Sequence, residues 1–171
     1  MQTLFTPWRY SWLTSPKGER PCIFCEASTT NTASESQLLM RTAHVLVMLN
    51  RYPYATGHLM VAPRQHAANL FDSKPDILTG LIRLAAASQR ILSDSYHPDG
   101  FNVGMNFGQA AGAGFANHYH MHVVPRWEGD SNFMSVTGDT RLVPETLEDT
   151  YQKLLPKFSD LERQFIKADE A

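Results

Sequence analysis

Three histidines alternate in the run Asn117-His118-Tyr119-His120-Met121-His122-Val123-Val124-Pro125. In an extended strand alternate side chains share a face, about 6–7 Å apart at the usual rise. His118, His120 and His122 are therefore expected to point one way, and Tyr119, Met121 and Val123 the other, toward a core. A lone histidine on a strand is most often a satisfied polar side chain. Three of the chain's seven within five residues ask for a chemical reason. Two chemistries suit them. The imidazoles can hold a catalytic zinc ion. Alternatively, one imidazole attacks phosphorus while its neighbours donate hydrogen bonds to the phosphate oxygens and the departing group. The preceding loop, GQAAGAG, favours phosphate, because Gly112, Ala113 and Gly114 let backbone N–H groups approach an anion closely. It is not a Walker loop, since the Lys-Ser/Thr ending is missing. The second chemical feature is Cys22-x-x-Cys25, which holds both of the chain's cysteines. In a chain without a secretory signal it reads as metal or redox chemistry in a reducing compartment. Two thiols alone are two ligands short of a tetrahedral zinc site.

The elements around these residues follow from periodicity. Residues up to about 36 read as irregular, interrupted by Pro7, Pro16, Gly18 and Pro21 and closed by a polar run. HVLVMLN (44–50) and HLMVAP (58–63) read as strands joined by the turn residues RYPYATG. From Pro75 to Tyr96 the apolar period changes. Leu81, Leu84, Ala85, Ser88, Ile91 and Leu92 fall at helical spacing, and Pro98, Asp99 and Gly100 end the helix. FNVGMNF (101–107) and YHMHVVPR (119–126) read as two more strands. After Pro144, Leu147, Tyr151, Leu154 and Leu155 mark a last helix. Strand pairs on short links predict an antiparallel sheet in an α+β layer.

Composition bounds the function. The 171 residues are 43% hydrophobic and 19% charged, with a net charge of −2. Those are the proportions of a globular chain, with no basic excess for gripping a nucleic-acid backbone. The longest apolar run, Val45–Leu49, is far short of a membrane span. No membrane or nucleic-acid partner is expected, and the location expected is cytoplasmic.

HYHMHVV resembles the histidine-triad (HIT) pattern of alternating histidines followed by two apolar residues. The resemblance runs from about Cys22 to Trp127 and takes in CIFCE and NRYPYATGHLMVAP. VVPRWEGDSNFM and VTGDTRLVPETL resemble the bacterial branch related to diadenosine tetraphosphate phosphorylases, which also carries PWR-like and C-x-x-C segments near its N-terminus. The resemblance implies a single HIT domain over 1–171. It would consist of a sheet of about five strands, a long packed helix, a C-terminal helix and an extension from about 128. It implies His120 as nucleophile on the α-phosphorus of a nucleotide. His122 would contact the phosphate and the departing group, His118 would support the site, and His58 would be a fourth active-site histidine. Asn50 would contact the ribose, Asn106 would lie near the phosphate, and Trp127 near the nucleotide. It also implies that His66 and His118 complete a structural zinc site with Cys22 and Cys25. Mg²⁺ can accompany the substrate. Family members are mostly homodimers that extend the sheet between subunits. One departure matters: Gly114 stands where the phosphorylase-like branch usually has Ser, so a hydroxyl donor to phosphate is missing.

The leading expectation is thus a nucleotidyl hydrolase or transferase acting on an AMP-containing substrate such as a dinucleoside polyphosphate, with phosphate or water as acceptor. The alternatives are a nucleoside phosphoramidate hydrolase, a metal-dependent hydrolase with zinc on the three histidines, and a non-catalytic nucleotide-binding module.

Overall fold

The structure, a computed structural model, describes residues 21–29, 37–130 and 143–169. The PWR segment near the N-terminus and most of VTGDTRLVPETL lie outside these residues. The elements are α1 (Ile23–Thr29), β1 (Leu38–Arg41), β2 (Val45–Leu49), β3 (Leu59–Pro63), α2 (Pro75–Tyr96), β4 (Gly100–Met105), β5 (Met121–Arg126) and α3 (Leu147–Asp169). The strands form one antiparallel sheet in the order β1-β2-β3-β5-β4. This is the α+β layer expected.

One face of the sheet carries the larger core. Val45, Val47, Leu49, Leu59, Val61, Tyr119, Met121 and Val123 meet Ile77, Leu81, Leu84, Ala85 and Leu92 of α2 and Tyr151, Leu154 and Phe158 of α3. Pro at the first position starts α2 with its missing N–H where no partner exists. His97, in the left-handed conformation ahead of Pro98, stops it. The other face holds a smaller cluster in which Phe24 and Ala27 of α1 cover Leu38, Leu46, Met48, Met60 and Ala62.

Three boundaries differ from the sequence reading. Residues 23–29 form a helix inside the stretch expected to be irregular, because Phe24 and Ala27, three apart, both bury fully against the sheet. β1 is an additional strand. Its Leu38, Leu39 and Met40 are buried on both faces, so no alternation marks them. The triad strand begins at Met121, since pairing with β3 starts at Val61↔Met121 and the Tyr119 N–H turns instead to the Ala67 carbonyl at 2.8 Å. Among the described residues, no helix is long and apolar enough to cross a membrane.

Candidate active site

The alternation of side chains holds through the residues that lead into β5. Tyr119, Met121 and Val123 enter the larger core, where the Tyr119 hydroxyl meets that of Ser73 at 2.7 Å. The histidines line the opposite face. His118 and His120 are buried and His122 is half-buried. Phe24 of α1 packs against both His118 and His120, with ring centres 5.0 and 4.8 Å apart, and the His120 and His122 rings stand 4.8 Å apart. His58, at the entrance to β3, is 1% exposed and reaches His122 across the sheet.

Main-chain atoms decide where each ring carries its hydrogen. The Tyr54 N–H donates to His58 Nδ1 at 3.0 Å. The neutral ring must then carry its hydrogen on Nε2, which donates to His122 Nδ1 at 2.9 Å. His122 in turn keeps its hydrogen on Nε2, outward, as a donor. His120 Nδ1 lies 3.1 Å from the His118 carbonyl. A carbonyl only accepts, so Nδ1 is the protonated nitrogen and Nε2 holds a free lone pair. Asn50 accepts the Tyr52 N–H on its Oδ1 at 2.9 Å, which leaves its Nδ2 3.4 Å from His58 Nε2. Both of those nitrogens carry hydrogen, so this is a contact rather than a bond.

Burial keeps these rings neutral. It pushes His122 down to about 4, helped by neighbouring His120. It pushes His118 down to about 4, helped by His66 and His120, and lowers His120 as well. A neutral imidazole with a free lone pair beside a neutral imidazole N–H is a nucleophile next to a donor.

Of the remaining candidates, Asn106 and Trp127 line a cleft of about 960 Å³ that opens beside His122. Gly112, Ala113 and Gly114 lie in the loop ahead of the triad. The Gly112 and Ala113 N–H groups donate within that loop, to the Gln109 and Gly108 carbonyls at 3.0 and 3.3 Å. Among the described residues the Gly114 N–H makes no such bond within the loop. Sequence reading missed Phe24 as the packing partner of two triad rings. It also missed Tyr54, whose N–H orients His58 and whose ring lies 4.7 Å from that of His58. The cluster of turn residues in RYPYATG was the available signal.

Cys22, Cys25, His66 and His118 come together as a possible metal site, with one ligand atom from each and all four atoms within 4.8 Å of one another. The donors suit zinc in number and softness. His118 is also set for the role. Its Nε2–H donates to the Pro63 carbonyl at 2.9 Å, which leaves Nδ1 as a lone pair 3.2 Å from Cys22 Sγ. A carbonyl behind a ligating imidazole is the usual support at metal sites. Cys25 Sγ lies 3.2 Å from His66 Nδ1. Burial and the adjacent Cys22 push the Cys25 thiol up to about 11. A cation would reverse that, since coordination deprotonates a thiol.

Comparison with known proteins identifies the family and the fold. The HIT domain family matches residues 31–129, more than half of the sequence. The chain belongs to that family. An AP-4-A phosphorylase of Mycobacterium tuberculosis is 34% identical over 166 residues, covering 93% of this chain and 85% of that protein. Protein hit of Bacillus subtilis is 29% identical over 115 residues, 67% of this chain and 77% of its own. Among solved structures, a Zn-bound histidine triad family protein from Mycobacterium smegmatis aligns with a TM-score of 0.65 and 28% identity, covering 86% of this chain and 99% of that one. A histidine triad nucleotide-binding protein from Sulfolobus tokodaii aligns with a TM-score of 0.63 at 24% identity, covering 84% and 95%, and this likeness speaks for the fold.

Proposed function

We propose that this enzyme is a HIT-type nucleotidyl hydrolase or transferase that works at the α-phosphorus of an AMP-containing nucleotide, with diadenosine tetraphosphate as the substrate class. The observation that carries the reading is the hydrogen arrangement of the triad: a lone pair on His120 Nε2 beside a hydrogen on His122 Nε2. His120 Nε2 attacks phosphorus and forms a P–N bond as the P–O bond to the departing polyphosphate breaks. The His122 Nε2–H hydrogen-bonds the oxygen that takes up the electron pair. The adduct turns the His120 ring cationic, and its Nδ1–H then donates more strongly to the His118 carbonyl. An oxygen of phosphate or water attacks the same phosphorus and forms a P–O bond as the P–N bond breaks; His120 recovers its lone pair, and where water is the acceptor its proton passes to solvent.

The geometry favours this over a catalytic zinc on the triad. His118 turns its Nδ1 to Cys22, His122 turns its Nδ1 to His58, and His120 turns its Nδ1 to a carbonyl, so the rings do not converge on one point. The four-ligand cluster at Cys22 supports a structural zinc ion that ties α1 to the sheet. Beside the similarity to a Zn-bound relative, the donor set itself supports that metal. β4 is an edge strand with Asn102, Val103 and Gly104 exposed, which supports a homodimer formed by pairing this edge with a second copy.

The test is product analysis with diadenosine tetraphosphate, with and without inorganic phosphate, together with intact-mass measurement after rapid quenching. ATP with ADP is expected under phosphorolysis, ATP with AMP under hydrolysis. A mass increase of one AMP should vanish in His120→Ala. Substantial turnover by that variant would refute the nucleophile assignment. Turnover of nucleoside phosphoramidates alone would move the substrate class. AMP binding with no turnover of either would make the protein a binding module.

A further inference from the structure

The loop ahead of the triad has little with which to hold itself in place. From Gly108 to Ala116 it reads GQAAGAGFA, so every side chain besides Gln109 and Phe115 is a hydrogen or a methyl group. Gly108 and Gly112 take positive φ, and residues 108–112 and Gly114 are exposed. The bonds made by the Gly112 and Ala113 N–H groups stay inside the loop, so they shape it without fastening it to the sheet. Glycines also leave the most backbone freedom to be lost on ordering. Such a loop needs a side chain to tie it down.

Phe115 supplies the tie. Of the side chains from 108 to 116, it is the one packed on a core cluster, the smaller one that α1 covers. Its ring stands edge-on to that of Phe24, with centres 6.0 Å apart and planes at 76°, a geometry that aromatic pairs favour. Its carbonyl accepts the His118 N–H at 3.4 Å. Phe24 is itself fully buried and packs against the His118 and His120 rings. One ring therefore meets the loop on one side and the triad on the other. The loop cannot slide along the strand without moving Phe24, and the core holds Phe24 in place.

We propose that Phe115 is a positioning residue: through Phe24 it sets the glycine-rich loop at a fixed place relative to His120, so that the loop N–H groups meet the phosphate that His120 attacks. This rests on the reaction assigned to His120. The benefit is preorganisation, since donors already in place need no rearrangement as charge develops on the phosphate oxygens. A misplacement of about 1 Å can cost on the order of a hundredfold in rate.

Two measurements test this. The first is the rate of AMP adduct formation from diadenosine tetraphosphate, by rapid quenching and intact mass, in Phe115→Ala, Phe24→Leu and the double variant. Phe115→Ala should lose about tenfold or more in the maximal rate, with the half-saturating concentration little changed. Phe115→Tyr keeps the ring and should match the wild type. Phe24→Leu keeps the core filled but removes the shared ring, so the double variant should lose no more than the worse single one. Losses that multiply mean that Phe115 acts apart from Phe24 and overturn the proposal. So does a Phe115→Ala protein at the wild-type rate, or one weakened only in half-saturation. Phe115→Val, too short to reach the Phe24 ring, replaces Phe115→Ala should that variant not fold. The second measurement is free of turnover: backbone ¹⁵N order parameters of Gly112, Ala113 and Gly114. In the wild type they should stand near the ~0.85 of rigid backbone, and in Phe115→Ala fall below about 0.6, with Met121 and Val123 of β5 unchanged. Equal values in the two proteins, or a fall in β5 as well, overturn the proposal. If the wild-type protein forms no adduct and turns nothing over, the reaction assigned to His120 fails, and the order parameters then decide by themselves whether Phe115 fixes the loop.

Discussion

Acid should destabilise this fold through His122, by an amount the site geometry sets. Unfolded, a histidine takes its proton near pH 6.5; folded, burial and His120 hold His122 off until about 4. Between those values the unfolded chain binds more protons, so stability rises with pH there. The contribution is complete above pH 6.5 and is lost as the pH falls through about 4. Fully expressed, that gap is worth about 3 kcal/mol, and about 2 kcal/mol of it is already lost at pH 5. The other buried histidines respond too, so the comparison must isolate one ring. His122→Asn does so: its amide oxygen can still accept the His58 Nε2–H, and it does not titrate. Urea unfolding of both proteins at pH 7.5 and pH 5.0 gives four free energies. The wild-type loss between the two pH values should exceed that of the variant by about 2 kcal/mol. Equal losses would mean that His122 titrates near its ordinary value, and the picture of a neutral, desolvated donor would be wrong.

Three further outcomes follow from other parts of the structure. Gly57 has φ +74, and a Cβ there would stand 2.9 Å from Leu92 Cδ2 and 3.4 Å from Tyr96 Cε2. Gly57→Ala should therefore cost about 2–5 kcal/mol, the left-handed backbone and the overpacking together; wild-type stability in urea would refute the packing at the entrance to β3. Zn²⁺ at a thousandfold over its Kd should stabilise the protein by about 4 kcal/mol, or about 10 °C in Tm. That rise should vanish in Cys25→Ser, and a variant that still gains it binds metal elsewhere. Tyr119→Phe should cost about 1–2 kcal/mol in urea, because it strips the Ser73 hydroxyl of its partner; no loss would mean that water or another group satisfies Ser73.

What the sequence disclosed depended on how long each pattern ran. α2 was readable because Leu81, Leu84, Ala85, Ser88 and Leu92 repeat one face over 22 residues. The strands β2 and β3 were readable from compact apolar runs between turn residues. α1 was not, because seven residues make a helix that is marginal alone and is held by Phe24 and Ala27 in the core. β1 was hidden by its own burial, since three adjacent apolar residues show no period. The triad histidines and the Cys22-x-x-Cys25 pair were legible as residue types at telling spacings, whereas His66 and His118 as their companions came only from the resemblance to the family. The cleft was not, because its lining is gathered from segments far apart in the sequence, among them Tyr54, Tyr96, Asn106, Trp127 and Lys153.

The hydrogens of the triad are placed by three main-chain groups: the Tyr54 N–H, the His118 carbonyl and the Pro63 carbonyl. Every residue type except proline supplies the first, and every one supplies the other two. Positions 54 and 63 can therefore drift in side chain while the proton arrangement stays fixed, and an alanine scan would pass over both. Chemical protein synthesis could reach them. An ester in place of the amide that carries the Tyr54 N–H keeps the side chains and removes one hydrogen atom. That atom alone dictates the tautomer of His58, and through it which nitrogen of His122 keeps its hydrogen.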